Sequence, residues 1–468
     1  MLLHIVRKEL LDQLRSLRFA IACAVCLLVM LLSSVVLTRD YGEALSTYNM
    51  NRVMHRNELE QRTQIRSVNE GTTVDRPLNL MNTMVRGLSQ ELTESVKIQP
   101  GNRLDFPESW EGNPVLPLFP AVDFVFIVGV IVSLLALAFG YDAISGEAES
   151  GVLKLLLSYS VPRDLVLLGK WIGGFLALIA PFTVSFLLAL LLMLLFPEVE
   201  PDLDASLSLL ALFCLALLYL AAIFSLGLFI SSRTRLASTS ITVLLLLWVA
   251  FVLALPNMAP YAVSQIVPIP SQESVRREKA AIRQEWSERI QTTWREEQEK
   301  QERDDVYDDA LRQRFDDMRL EMEAEVQKIS DNQTAQVRHQ MRWSAIIARI
   351  SPMTSFTLAS LDLAAAGITQ EERYVDALQA FSEKWGVYAE EKQADFRRVM
   401  AENRGRMTPE LMEQSNHVDL SDAPQFQFSH MPVGDRLTLI YPDVLLLVLW
   451  NVIFFMGAWL SFVRYDVQ

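Results

Sequence analysis

Six runs of about twenty apolar residues dominate this chain, at roughly 19–38, 119–141, 171–196, 206–230, 238–256 and 438–463. Each is long enough to cross the hydrocarbon core of a bilayer. Backbone polar groups in lipid must be paired within the segment, so each run is expected to be a helix. The rest is strongly polar. Charged residues make up 21% of the 468, against 51% in the hydrophobic set. The expected fold class is therefore an all-α membrane protein, with six transmembrane helices and a mostly helical external domain.

The bases orient these spans. Arg7, Lys8, Arg15 and Arg18 precede the first, and Lys154, Arg163 and Lys170 lie between the second and third. Arg233 and Arg235 follow the fourth, and Arg464 follows the sixth. With six spans, all four segments share one side, which the positive-inside rule makes cytoplasmic. "FPEVEPDLDAS", between spans three and four, has acids and no base, and falls on the other side. Both termini are thus expected in the cytoplasm, with 39–118 and 257–437 external and 142–170 a cytoplasmic loop. The net charge of −14 reflects acids in the external segments and gives no support to a nucleic-acid role. The first span lacks a small-residue cleavage site and is expected to stay as an anchor rather than a signal peptide.

Little else suggests chemistry. Cys23 and Cys26 form a C-x-x-C, but both lie at lipid level, where a thiol is a small hydrophobe. The five histidines have no metal-ligand spacing. No metal site and no catalytic residue is expected, and Asp123 is expected to be hydrated at the outer end of span two.

Residues 1–18 form an amphipathic stretch. Leu3, Val6, Leu10, Leu14 and Leu17 recur at three-to-four spacing, with Arg7 and Lys8 off that face. It is expected to lie in the cytoplasmic interface. Within 257–437, Ile282, Trp286, Ile290 and Trp294 fall every four residues, and Leu311, Phe315, Met318, Met322, Val326 and Ile329 make a heptad-like seam. Long helices are expected there, packed on each other or on a partner subunit. Residues 343–367 are apolar but carry Arg349, Pro352 and Asp362, which favours a surface or interfacial segment over a seventh span. Thr369 to Glu372 fits a capping box for a further helix, with Tyr374, Leu378, Phe381, Trp385 and Tyr388 as its apolar face.

"SGEAESGVLK", residues 145–154, has the glycine spacing of a P-loop. Val152 and Leu153 stand where Lys and Ser or Thr would be needed, and no buried strand precedes Gly146. No nucleotide or other cofactor is expected on this chain. What remains is a polar turn, a short apolar helix in need of a cover, and a break at Val161–Pro162.

This loop resembles the first cytoplasmic loop of type-2 ATP-binding-cassette exporter permeases, as do the six-span plan and the stretch from Arg349 to Thr369. The shared residues are Ile144, Gly146, Glu147, Glu149, Gly151 and Leu153, then Val161, Pro162 and Arg163, then Gly169 and Lys170. The chain departs from that pattern at Val152, usually Thr in the family, and in the order "SVPR". The resemblance implies a permease subunit of the subfamily with a large external insert between spans five and six, in a bacterial inner membrane. It further implies a second permease subunit, identical or not, and separate ATPase subunits carrying ATP and Mg. Gly146, Glu147, Glu149, Gly151, Leu153, Leu155, Leu156, Pro162 and Arg163 would form the ATPase-coupling interface, assisted by the interfacial helix through Arg7, Lys8, Leu10 and Leu14. The long external segments leave room for a periplasmic or outer-membrane partner. Two other readings stay open: ATP-driven mechanical signalling to an external partner without transport, and a membrane-anchored sensor or scaffold with no ATPase.

Overall fold

A computed structural model describes residues 2–87, 95–99, 122–158, 161–301, 309–402 and 416–464. Contacts divide the chain into two units. One draws on Met1–Asn102, Pro117–Met258 and Ile347–Gln468, and the other contains Ala259–Ile346.

The first unit is mostly helical and holds the spans. The amphipathic segment is α1 (Leu2–Leu14). Ser16 then caps α2 (Leu17–Gln61), accepting a hydrogen bond from the Phe19 backbone N–H. The other spans are α3 (Phe124–Glu149), α5 (Arg163–Met193), α6 (Leu203–Arg233), α7 (Ala237–Ile266) and α12 (Val433–Val463). Each is long and apolar enough to cross a membrane. Helix α4 (Val152–Ser158) lies in the loop between α3 and α5. Two spans carry π-helical stretches, Ile127–Val132 in α3 and Val249–Ala254 in α7.

The fold is mostly helical, as expected; among the described residues its strands are an antiparallel pair, β1 (Thr72–Asp75) and β2 (Ser95–Ile98), with Thr72 opposite Ile98. Two local expectations are corrected. Asp123 is buried rather than hydrated. Its carboxylate caps α3, accepting from Phe126 N at 2.9 Å and Arg86 N at 3.3 Å. The segment expected at the surface instead packs inside the bundle as α10 (Pro352–Leu363).

Ser351 caps the start of α10, its hydroxyl accepting from Met353 N and Thr354 N. The same hydroxyl donates to the Phe251 carbonyl of α7. Met353, Phe356 and Leu363 are fully buried. Phe356 stacks on Tyr219 of α6 at 4.7 Å, and Tyr219 donates to the Gly129 carbonyl of α3 at 3.0 Å. Just before α10, Arg349 makes a forked pair with Asp443 of α12, at 2.7 and 3.2 Å. Asp443 lies ten residues into α12, about 15 Å along its axis. At the other end, Arg436 of α12 binds the Leu363 carbonyl and the Asp204 carboxylate.

Helix α11 (Ile368–Glu402) begins one residue before Thr369, so the capping box does not form, and Glu371 N bonds the Gly367 carbonyl. Its expected apolar face is real. Trp385 donates to the Val68 carbonyl at 3.2 Å, and Phe426 and Phe428 meet Tyr374 and Phe381 edge-on.

The second unit contains the helical pair formed by α8 (Gln272–Gln301) and α9 (Asp309–Ala348). Trp286 meets Glu325, its indole donating at 2.8 Å, and Trp294 meets Phe315 at 5.3 Å. These pairings run in opposite senses, so the helices form an antiparallel hairpin within one chain. Phe315, Met318, Met322, Val326 and Ile329 are half-buried, and the side chain of Leu311 lies outside the described residues.

Candidate functional site

The loop between α3 and α5 is tied to the helices around it, and one lysine is central. Lys170 is 2% exposed, on the first turns of α5. Its ammonium donates to Glu9 Oε1 of α1 at 2.9 Å and pairs with Glu147 Oε2 at 2.8 Å. Lys8 adds an outer contact to Glu147 at 3.6 Å. A buried charge needs such partners, since desolvation alone would cost several kcal/mol. Helix α1 can come this close because α5 offers glycines. A Cβ on Gly173 would lie 2.7 Å from that of Glu9, and one on Gly169 would lie 2.6 Å from Ile5.

Other ties hold the loop from its remaining sides. The amides of Ile144 and Ser145 both donate to Ser231 Oγ of α6 at 3.0 Å. Glu149 accepts from Ala237 N at the start of α7, at 3.1 Å, where a carboxylate suits a helix N-terminus. Arg163 donates to the Val463 carbonyl at the end of α12, at 2.7 Å. Arg18 at the start of α2 pairs with Asp142 at 2.8 Å and covers the Tyr141 ring. Gly151 has φ +79°, a left-handed turn that a side chain would strain.

The loop residues singled out in the sequence divide into two groups. Leu153 faces inward, in a cluster with Ile144, Val166, Leu167, Leu228, Ala458 and Phe462. Leu156 leans on that cluster, half-buried. Val152 and Leu155 point outward, 42% and 62% exposed. Gly146 and Glu147 sit on the inner side, whereas Pro162 is exposed ahead of α5. On α1, Arg7, Lys8 and Leu14 are exposed and Leu10 is half-buried. The face that packs on α5 is Leu2, Ile5, Val6 and Glu9, rotated from the stripe the leucine spacing suggested.

Sequence reasoning missed Glu9 and the role of Lys170. The available signal was a lone acid on an otherwise apolar helix face, and a lysine placed beside the glycine at the mouth of a span. Ser231 gave no signal. Among the described residues, no group of His, Cys, Asp and Glu has a metal-holding arrangement.

A multi-span bundle with a short polar-then-apolar loop locked across its helix ends is the architecture of a transporter's membrane subunit. The profile of the ABC-2 family transporter protein matches residues 3–467, and the chain belongs to that family. It is thus an ABC-2 permease, a transmembrane subunit without the ATPase. A stretch of 71 residues is 45% identical to the "Probable ABC transporter permease protein NosY" of Pseudomonas aeruginosa, covering 15% of this chain and 26% of that protein. Its namesake in Stutzerimonas stutzeri is 45% identical over 56 residues, 12% of this chain and 20% of that one. The match thus spans about a quarter or less of these relatives' length.

Proposed function

We propose that this chain is the membrane-spanning permease of an exporter-type ABC transporter, of the kind with a large external insert between spans five and six. Two such subunits form the pathway across a bacterial inner membrane, with both termini in the cytoplasm. Separate ATPase subunits carry ATP and Mg and dock on the loop around α4.

The observation that carries this reading is the way the loop is held. Through Glu147, Ser145, Glu149 and Arg163 it touches α1, α5, α6, α7 and α12 by specific polar contacts. It presents Val152 and Leu155 outward. A push on that apolar knob reaches five helices through the residues on either side of it. In this reading Leu155 and Val152 enter an apolar cleft on the ATPase, while Leu153 and Leu156 anchor the knob from behind. The long α8–α9 hairpin supports a second reading, in which hydrolysis moves an external partner without transport.

The test compares Leu155→Glu with wild type by detergent co-purification of the ATPase subunit and by ATPase assay. A charge in a central contact should weaken docking by about 2 kcal/mol or more, roughly thirtyfold. The variant should fold normally, since Leu155 is exposed. Full retention of the ATPase subunit and of coupled activity would remove this loop as the contact. The orientation is tested separately: a cysteine at Glu299 should react with an impermeant reagent from outside, and one at Ser150 should not.

A further inference from the structure

At the end of the first unit away from the loop lies a groove of about 630 Å³. Two stretches border it. One is β1, whose sheet has two strands among the described residues, so its second edge faces no described strand. The other is Pro424–Phe428, in which exposed Gln425 and Gln427 alternate with half-buried Phe426 and Phe428. That alternation is the period of a β-strand, yet the stretch has no strand partner. Among the described residues, its backbone makes no hydrogen bond to any other backbone, and β1 makes none outside its ladder with β2.

The third wall is one face of α2, with Tyr48, Arg52, His55 and Arg56. Arg56 is held by Glu60 and by the Ser421 carbonyl. Asp75, the acid in the groove, is already engaged by His55 and by Ser95. Arg52 is exposed and has no hydrogen bond or ion pair with any described residue. Among the described residues, Arg52 is thus the charged group of the groove that is left without a partner, in a chain of net charge −14.

We propose that this groove binds an extended, acidic peptide segment of a partner protein by β-strand addition. Unpaired strand edges are templates for a further strand, and main-chain hydrogen bonds supply the affinity. β1 has four residues and the facing stretch Pro424–Phe428 five, so the bound segment is about five residues long. Its alternate side chains divide between the phenylalanine side and the Arg52 side, which sets a preference for apolar residues alternating with acids. The occupant is a polypeptide because β1 offers a strand edge and the facing stretch alternates in burial with a strand's period.

Three labelled pentapeptides test this on the purified full chain in detergent, by fluorescence anisotropy. The first alternates glutamate with valine, the second alternates lysine with valine, and the third is the acidic peptide with proline at its centre. The acidic peptide should bind. Proline, which removes a backbone N–H, should weaken it roughly tenfold. Arg52→Glu, at an exposed position that folding does not need, should abolish binding of the acidic peptide and favour the lysine one. Binding that proline and Arg52→Glu leave unchanged overturns the proposal. Failure of all three peptides to bind also overturns it, whether a second copy or another stretch of this chain fills the groove.

Discussion

Lys170 and Glu147 pair at 2.8 Å across the junction of a span and the loop between α3 and α5, with the lysine side chain only 1% exposed. Glu9 of α1 closes the cluster at 2.9 Å, so one buried ammonium joins three elements distant in sequence.

Lys170→Met should therefore do more than delete a charge. It leaves two carboxylates facing each other, 12% and 19% exposed. Breaking a buried pair from one side costs about 3 kcal/mol or more. The melting temperature in detergent should fall, and α1 should become open to protease. The triple variant Lys170→Met, Glu9→Gln, Glu147→Gln should recover most of the loss, because no uncompensated charge remains. A single variant as stable as wild type would show that the cluster is not closed to water.

Asp362 gives a pH dependence with a definite sign. Burial, reinforced by the charge of Asp443 and opposed by Arg349, pushes its carboxyl up to about 7 from 3.8. The folded protein holds this proton more tightly than the unfolded chain does. Its contribution is thus complete below about pH 4 and is lost as pH rises toward 7, with no further change above. Melting temperatures between pH 5 and 8 should decline more steeply for wild type than for Asp362→Asn. Parallel curves would mean that Asp362 is ionised throughout.

In the α8–α9 hairpin, Trp286 is 5% exposed and bonded to Glu325, whereas Trp294 is 47% exposed. Trp286→Ala should destabilise the hairpin by about 3 kcal/mol. Trp294→Ala should cost clearly less. Limited proteolysis of the intact protein, read at the hairpin, separates them. Equal sensitivity would show the two tryptophans to be equally buried.

The spans were legible because lipid imposes a length and a composition on each helix. The span limit expected at residue 38 is not a helix limit: α2 runs on to Gln61 through polar, helix-compatible sequence that holds no proline and only Gly42. Hydropathy sees where lipid stops, not where a helix does. The apolar face of α11 was legible for a related reason: Tyr374 to Tyr388 repeat within one element. The partners of Lys170 were not. Glu9 lies 161 positions away, and no local pattern reports such a pairing. Helix α10 escaped for a different reason. Arg349 and Asp362 read as surface charges until Asp443, within an apolar span, supplies the counter-ion for Arg349.

The length of α2 has a mechanical consequence. Its 45 residues make a rod about 67 Å long, more than twice the roughly 30 Å of hydrocarbon it crosses. Arg18, beside the loop between α3 and α5, and Arg52, on the wall of the groove, ride on that same rod. Tilting such a rod about a point within the bilayer would swing the two arginines in opposite directions, so a small displacement at the loop end would widen or narrow the groove at the other.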